Sequence, residues 1–236
     1  MKTLKLFPAL LIAGGLAFAP MALAQNAQPA PTAPAGDKDR GKGDKKAEKG
    51  EKKDKGETAG AMPGTAAPAF SLTDTDGKTH SLADLKGKVV VLEWFNPECP
   101  FVVKHHKVNK TFNTLHEEYN SKGVVFMAIN SSAKGKEGNG MDLNKKMKGE
   151  FGIQYPILID ESGMVGKAYG AKTTPHVFII DTDGKIAYNG AIDNDRSRSK
   201  AGDKNYAKMA LDEVLAKKAV TTPKTDPYGC SVKYGS

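Results

Sequence analysis

Cysteine is scarce in this chain. Two occur in 236 residues, Cys99 and Cys230, and there is no C-x-x-C pair, because Val102 stands where the second cysteine of such a motif would follow Cys99. A vicinal dithiol is therefore excluded. A membrane-spanning run is missing as well: the apolar stretch from Leu6 to Ala19 falls short of the roughly 20 residues a transmembrane helix takes. With Lys2 and Lys5 ahead of it and Ala22-Leu23-Ala24 behind, it reads as a secretory signal peptide over residues 1–24. No cysteine follows the cleavage site, which argues against a lipoprotein anchor. The mature chain is expected to start near Gln25, in an oxidising periplasmic or secreted setting where disulfides persist.

Residues 25–66 lack aromatic side chains and hold almost nothing large and apolar. Such a segment cannot bury enough surface to offset its ordering entropy, so a disordered linker is expected. Its basic and acidic residues alternate closely, as suits a solvated spacer. Net charge beyond Ala66 is small, with 24 basic against 20 acidic residues, and the basic residues are not interleaved with stacking aromatics. Nucleic acid is not an expected partner.

What remains, residues 67–220 with a tail over 221–236, is the size of one domain with a substantial core. Ala69 to Thr73 and Lys78 to His80 flank Asp74-Thr75-Asp76-Gly77, a hairpin signal. Lys88 to Phe95 holds Val-Val-Val-Leu in sequence, the reading of a strand covered on both faces. Val108, Phe112, Leu115 and Tyr119 recur at spacings of four, three and four, which predicts one helix from about Pro100 to Asn120. Val124 to Asn130 is the next strand, parallel and adjacent to the first. A helix over Met141 to Phe151, a short strand over Tyr155 to Asp160 and a short helix over Gly163 to Tyr169 come next. Val177 to Asp181 and Lys185 to Asn189 form a hairpin across Thr182-Asp183-Gly184, and the last helix spans Asn205 to Lys218. Strands alternating with helices give an α/β fold, a mixed central sheet with helices on both faces, an N-terminal hairpin and an inserted helix.

The candidate reactive group is Cys99, which sits where the buried strand hands over to the long helix, with Pro100 at the first helical position. A thiolate there faces unpaired backbone amides and the positive end of the helix, which favours the charged, nucleophilic form. His106 shares its face but lies about 10 Å up the helix, too far to act as a base. The plain expectation for His105 and His106 is two partly exposed helix histidines, and for His80 and His116 ordinary surface residues. Asp193, Asp195, Arg196 and Arg198 make a charged loop, expected to be solvated.

Asn96-Pro97-Glu98-Cys99-Pro100 after an apolar strand, with Thr173-Thr174-Pro175-His176 before the next, resembles the thioredoxin fold, and the leading hairpin and inserted helix resemble its redoxin branch. That branch is the AhpC/TSA (peroxiredoxin-like) superfamily, which also holds exported thiol-disulfide oxidoreductases. The tail Pro227-Tyr-Gly-Cys230-Ser-Val-Lys-Tyr234 is similar to that of other exported bacterial proteins of this kind. The resemblance covers Pro68 to about Lys218. It implies that Pro175 carries a cis peptide bond and faces Cys99, with the Thr174 backbone beside the sulfur. It implies a thiol-dependent oxidoreductase acting on protein or small-molecule thiols and disulfides, with no cofactor. Peroxide is the weaker expectation: Leu92 and Asn96 stand where the peroxiredoxin motif has Pro and Ser or Thr, and none of Arg40, Arg196 and Arg198 is placed to hold a peroxide.

Three readings of Cys99 stay open. Cys230 could resolve a mixed disulfide or sulfenic acid formed at Cys99. The two could instead be a permanent staple, worth about 4 to 5 kcal/mol for so long a loop in the chain-entropy model, on a non-catalytic binding module. Or Cys99 could join His105, His106 or His176 in a copper-handling site, although Val103 stands where such chaperones carry a second thiolate.

Overall fold

The computed structural model describes residues 60–236, so the expected signal peptide and most of the expected linker lie outside the described residues. Seven strands form one sheet in the order β2-β1-β5-β4-β3-β7-β8. The hairpin of β1 (Ser71–Asp74) and β2 (Thr79–Ser81) is antiparallel and lies at one edge. Its turn is closed by the Asp74 carboxylate, which accepts from the Asp76 and Lys78 amides. At the centre is β3 (Val90–Trp94), buried at all five positions. It pairs in parallel with β4 (Val125–Asn130) and antiparallel with β7 (His176–Ile180). β5 (Ile157–Ile159) joins β4 to the hairpin, and β8 (Ile186–Gly190) closes the other edge against β7. The mixed sheet read from the apolar runs is the sheet observed.

Alternation along β3 divides the core. Val91 and Phe95 pack with Phe112, Leu115, Tyr119, Val102 and Leu211 on one face, beneath α1 (Pro100–Val103), α2 (Thr111–Asn120) and α5 (Tyr206–Leu215). Val90, Leu92 and Trp94 pack with Tyr169 of α4 (Met164–Tyr169) on the other. The inserted helix is α3 (Met141–Glu150).

Two expectations need correction. The single helix over Pro100 to Asn120 is interrupted: α1 passes into a π-turn at Lys104–Val108, and Lys110 then takes a left-handed conformation (φ 51°) before α2 begins. A π-turn carries an extra residue per turn and breaks the helical register, and Val108, expected on the apolar face, ends this one 60% exposed. Residues 60–66, assigned to the linker, pack on the domain. The Ala61 amide donates to Tyr169 O (3.1 Å), the Gly64 amide donates to Ile186 O (2.8 Å), and Ala61 is buried.

Candidate active site

The turn that carries Cys99 is built by Asn96. Its Oδ1 accepts from the Glu98 amide (2.9 Å), its Nδ2 donates to Glu137 O (3.1 Å), and Asn96 O accepts from the Cys99 amide (3.1 Å). The loop behind it approaches closely at Gly138, where φ is +78° and a Cβ would lie 2.2 Å from Asn96 Oδ1. Cys99 then caps α1 in an extended conformation, and Pro100 supplies the first helical residue. Cys99 is fully buried. Its Sγ–H donates to the carbonyl of Thr174 at 2.9 Å, and the Thr174–Pro175 bond is cis. Cys99, Thr174 and Pro175, three of the four candidate site residues, are thus brought together.

The fourth arrives from the end of the chain. β9 (Cys230–Ser231) pairs antiparallel with β6 (Thr173–Thr174), with Cys230 directly opposite Thr174. Gly229 makes this approach possible: its φ is +141°, and a Cβ there would lie 2.0 Å from Thr174 O. The Cys230 side chain adjoins Cys99, and its thiol is pushed up to about 12 by burial, by hydrogen bonding with Cys99 and by the charges of Cys99 and Glu137. Both cysteines are free thiols, and Cys230 is only half-buried.

Two aromatic residues anchor the strap on either side of Cys230. Tyr234 donates to Ala171 O (2.9 Å) and lies against Gly163 and Gly166, where side chains would collide with its ring. Tyr228 enters a buried polar cluster. Its hydroxyl donates to Asp193 Oδ1, so the 2.9 Å contact to His105 is an Nε2–H donating to the phenol, and Lys104 Nζ donates to it at 3.3 Å. Burial and the Asp193 carboxylate keep this phenol protonated. Lys104 is wholly buried and also donates to Asp195 O (2.6 Å) and Ser197 O (2.9 Å). Burial lowers its pKa, against the pull of Asp193 and Asp195. Burial likewise pushes His105 down to about 4, which leaves it neutral with Nδ1 accepting from Thr111 Oγ1 at 3.0 Å.

The histidines were therefore misread as partly exposed: His105 and His106 are both fully buried. His106 Nε2–H donates to Glu93 Oε1 and Oε2 (2.9 and 3.1 Å), and Tyr155 donates to the same carboxylate (3.1 Å). His106 is stacked between Phe112 and Phe151. His176 is buried as well. Its Nδ1 accepts from the Lys172 amide (3.2 Å) and its Nε2–H donates to Asn189 Oδ1 (2.7 Å). His106 Nδ1 lies 3.3 Å from Asn113 Oδ1, so every ring nitrogen of His105, His106 and His176 is engaged and the copper reading loses its nitrogen ligands. The charged loop is corrected at Asp193, which is buried and tied to the strap, while Arg196 and Arg198 are exposed as expected. His80 is bound to Asp74 (2.7 Å) and His116 packs on Phe126 and Tyr155.

The Redoxin family model matches residues 62–205, more than half of the chain. The chain belongs to the Redoxin family. Among curated proteins, this redoxin is 33% identical over 124 residues to the thiol-disulfide oxidoreductase ResA of Geobacillus thermodenitrificans and 31% identical over 126 residues to that of Bacillus subtilis. Each match takes in 52% of this chain and just under two thirds of the relative, at 66% and 64%. Among solved structures, a hypothetical protein of Sinorhizobium meliloti is 28% identical with a TM-score of 0.66, over 74% of this chain and 96% of its own. An uncharacterized conserved protein of Geobacillus kaustophilus is 35% identical with a TM-score of 0.64, over 73% and 92%. The matched family segment ends at residue 205, before the strap that brings Cys230 to Cys99.

Proposed function

We propose that this redoxin is an exported thiol-disulfide oxidoreductase whose redox pair is Cys99 and Cys230. The observation that carries the reading is the register of β6 and β9. It sets Cys230 opposite Thr174, whose carbonyl is the hydrogen-bond acceptor of the Cys99 thiol. A sulfur placed there can form a disulfide with Cys99 without refolding of the domain. The ResA relatives are named as thiol-disulfide oxidoreductases, which supports the same chemistry. A protein or small-molecule disulfide is the substrate class, and the expected leader would deliver the enzyme to an oxidising compartment.

A permanent staple explains the pair less well. The strap is seated by Tyr228, Tyr234 and the β6 ladder, so the tail does not depend on a disulfide for its place. Stopped-flow mixing of the reduced protein with cystine, a protein disulfide and hydrogen peroxide tests the proposal. Disulfide reduction that is lost in Cys99→Ser, and that stops at a trapped mixed disulfide in Cys230→Ser, is the expected result, with peroxide reacting slowly. No reaction with either disulfide, together with a fall in melting temperature as the only effect of Cys230→Ser, would establish the staple.

A further inference from the structure

The two sulfurs of the pair are unequally reachable. Cys99 is completely buried beneath the cis-Pro turn and the strap, whereas Cys230 is only half-buried, beside Ser231, which faces solvent. We propose that in the oxidised protein the sulfur attacked by an incoming reductant is Cys230, so that electrons enter through the strap and pass inward to Cys99, and that the reductant is a protein dithiol. This inference rests on the oxidoreductase reading above and assigns the roles within it.

The chemistry balances in two exchanges. A partner thiolate attacks Cys230 Sγ, the Cys99–Cys230 bond breaks, and the electron pair leaves on Cys99, which takes up a proton and donates to Thr174 O as observed at 2.9 Å. The partner is then joined to Cys230 through a mixed disulfide. Its second thiol attacks its own bonded sulfur, expels Cys230, which is protonated, and departs as a disulfide. Two electrons have moved from the dithiol to the pair. A monothiol needs a second molecule for the second exchange, whereas a dithiol carries the second thiol with it and completes the transfer in one encounter, which is why the partner class is a dithiol.

Approach decides between the sulfurs: Cys99 is covered by the protein, whereas Cys230 keeps exposed surface. The strap does not need to lift for the first exchange, because Tyr228 and Tyr234 hold Cys230 in reach of both Cys99 and solvent. Close to this sulfur, Lys233 and Glu137 form an ion pair at 3.3 Å, a polar rim suited to a protein surface.

Glutathione serves as a monothiol probe on the oxidised full chain. After a short reaction and acid quench, free thiols are alkylated and the peptides are mapped by mass. The expected product carries glutathione on Cys230 and the alkyl label on Cys99, in at least tenfold excess over the reverse. Glutathione on Cys99 with Cys230 alkylated, or an even distribution, would overturn the assignment while leaving the pair intact. Failure of the oxidised chain to yield a Cys99–Cys230 cross-linked peptide would overturn the pair itself. As a second measurement, reduction by a dithiol protein should leave a trapped complex through Cys230 when the partner's second thiol is replaced by serine. A complex through Cys99 refutes the proposal.

Discussion

Acid should loosen this domain well above the pH range in which carboxylates titrate, and His176 is the cleanest place to measure the effect. Its neutral form is fixed by two bonds of opposite sense: Nδ1 accepts from the Lys172 amide, and Nε2–H donates to Asn189. A proton on Nδ1 would remove the first and place a charge in a site 2% exposed. Burial is the main cause of its depressed value, about 4 against 6.5. The unfolded chain therefore binds this proton more readily than the folded one between those values. The associated stability is complete above about pH 6.5 and is lost as pH falls towards 4. The shift from 6.5 to about 4 corresponds to about 3 kcal/mol in full, of which about 2 kcal/mol is lost between pH 7 and pH 5. Urea unfolding of the wild type and of His176→Gln at both pH values tests this. Glutamine can retain the contact to Asn189 and has no proton to gain, so the variant, although weaker at pH 7, should lose about 2 kcal/mol less on acidification. Equal losses in the two proteins would refute the reasoning.

Two further substitutions probe the strap. Gly229→Ala forces a Cβ within 2.0 Å of Thr174 O at φ +141°, so the strap should unseat by at least about 1.4 kcal/mol and iodoacetamide labelling of Cys99 should quicken about tenfold; unchanged labelling would mean that the turn accommodates the methyl group. Lys104→Met deprives Asp193, Tyr228 and two loop carbonyls of a wholly buried cation, for an expected loss of about 3 kcal/mol and about 10 °C in melting temperature by calorimetry. A fall of less than about 2 °C would show that the cluster contributes little.

The sheet was legible because its signals are local. A continuous apolar run marks a central strand, Asp-Gly turns mark hairpins, and β3, β4, β7 and β8 lie where those rules put them. The Cys99 turn and the cis Pro175 were legible through resemblance to a fold. The histidine environments were not, because helical periodicity is blind to one added residue. The run from Val108 to Tyr119 keeps its spacing whether or not a π-turn precedes it, yet the turn decides that His105 and His106 face inward. One signal was present and unused. Glu93 stands alone in an otherwise apolar strand buried on both faces, and a carboxylate there requires a buried partner, which is His106. The Tyr228 cluster had no such sign, since Lys104, Asp193 and Tyr228 come from three distant segments.

Val102 excludes a helix-start dithiol, and the origin proposed for the second thiol sets how such a pair would behave. In a helix-start dithiol the second cysteine lies three residues along the same helix, so its distance to the first is set by the helix. Here that position is a fully buried valine in the core beneath α1, and no thiol could be restored there without opening a cavity in a packed interior. In the pair proposed above the second sulfur is brought instead across the cis-Pro turn by a strand of two residues. Its distance to Cys99 is set by how well the strap is seated, and hence by Gly229, Tyr228 and Tyr234 rather than by a helix. Such a pair has its second sulfur on the outside. Mutations that weaken seating should therefore change how often the disulfide forms and how fast partners exchange with it, while leaving the Cys99 turn, which Asn96 holds independently, in place.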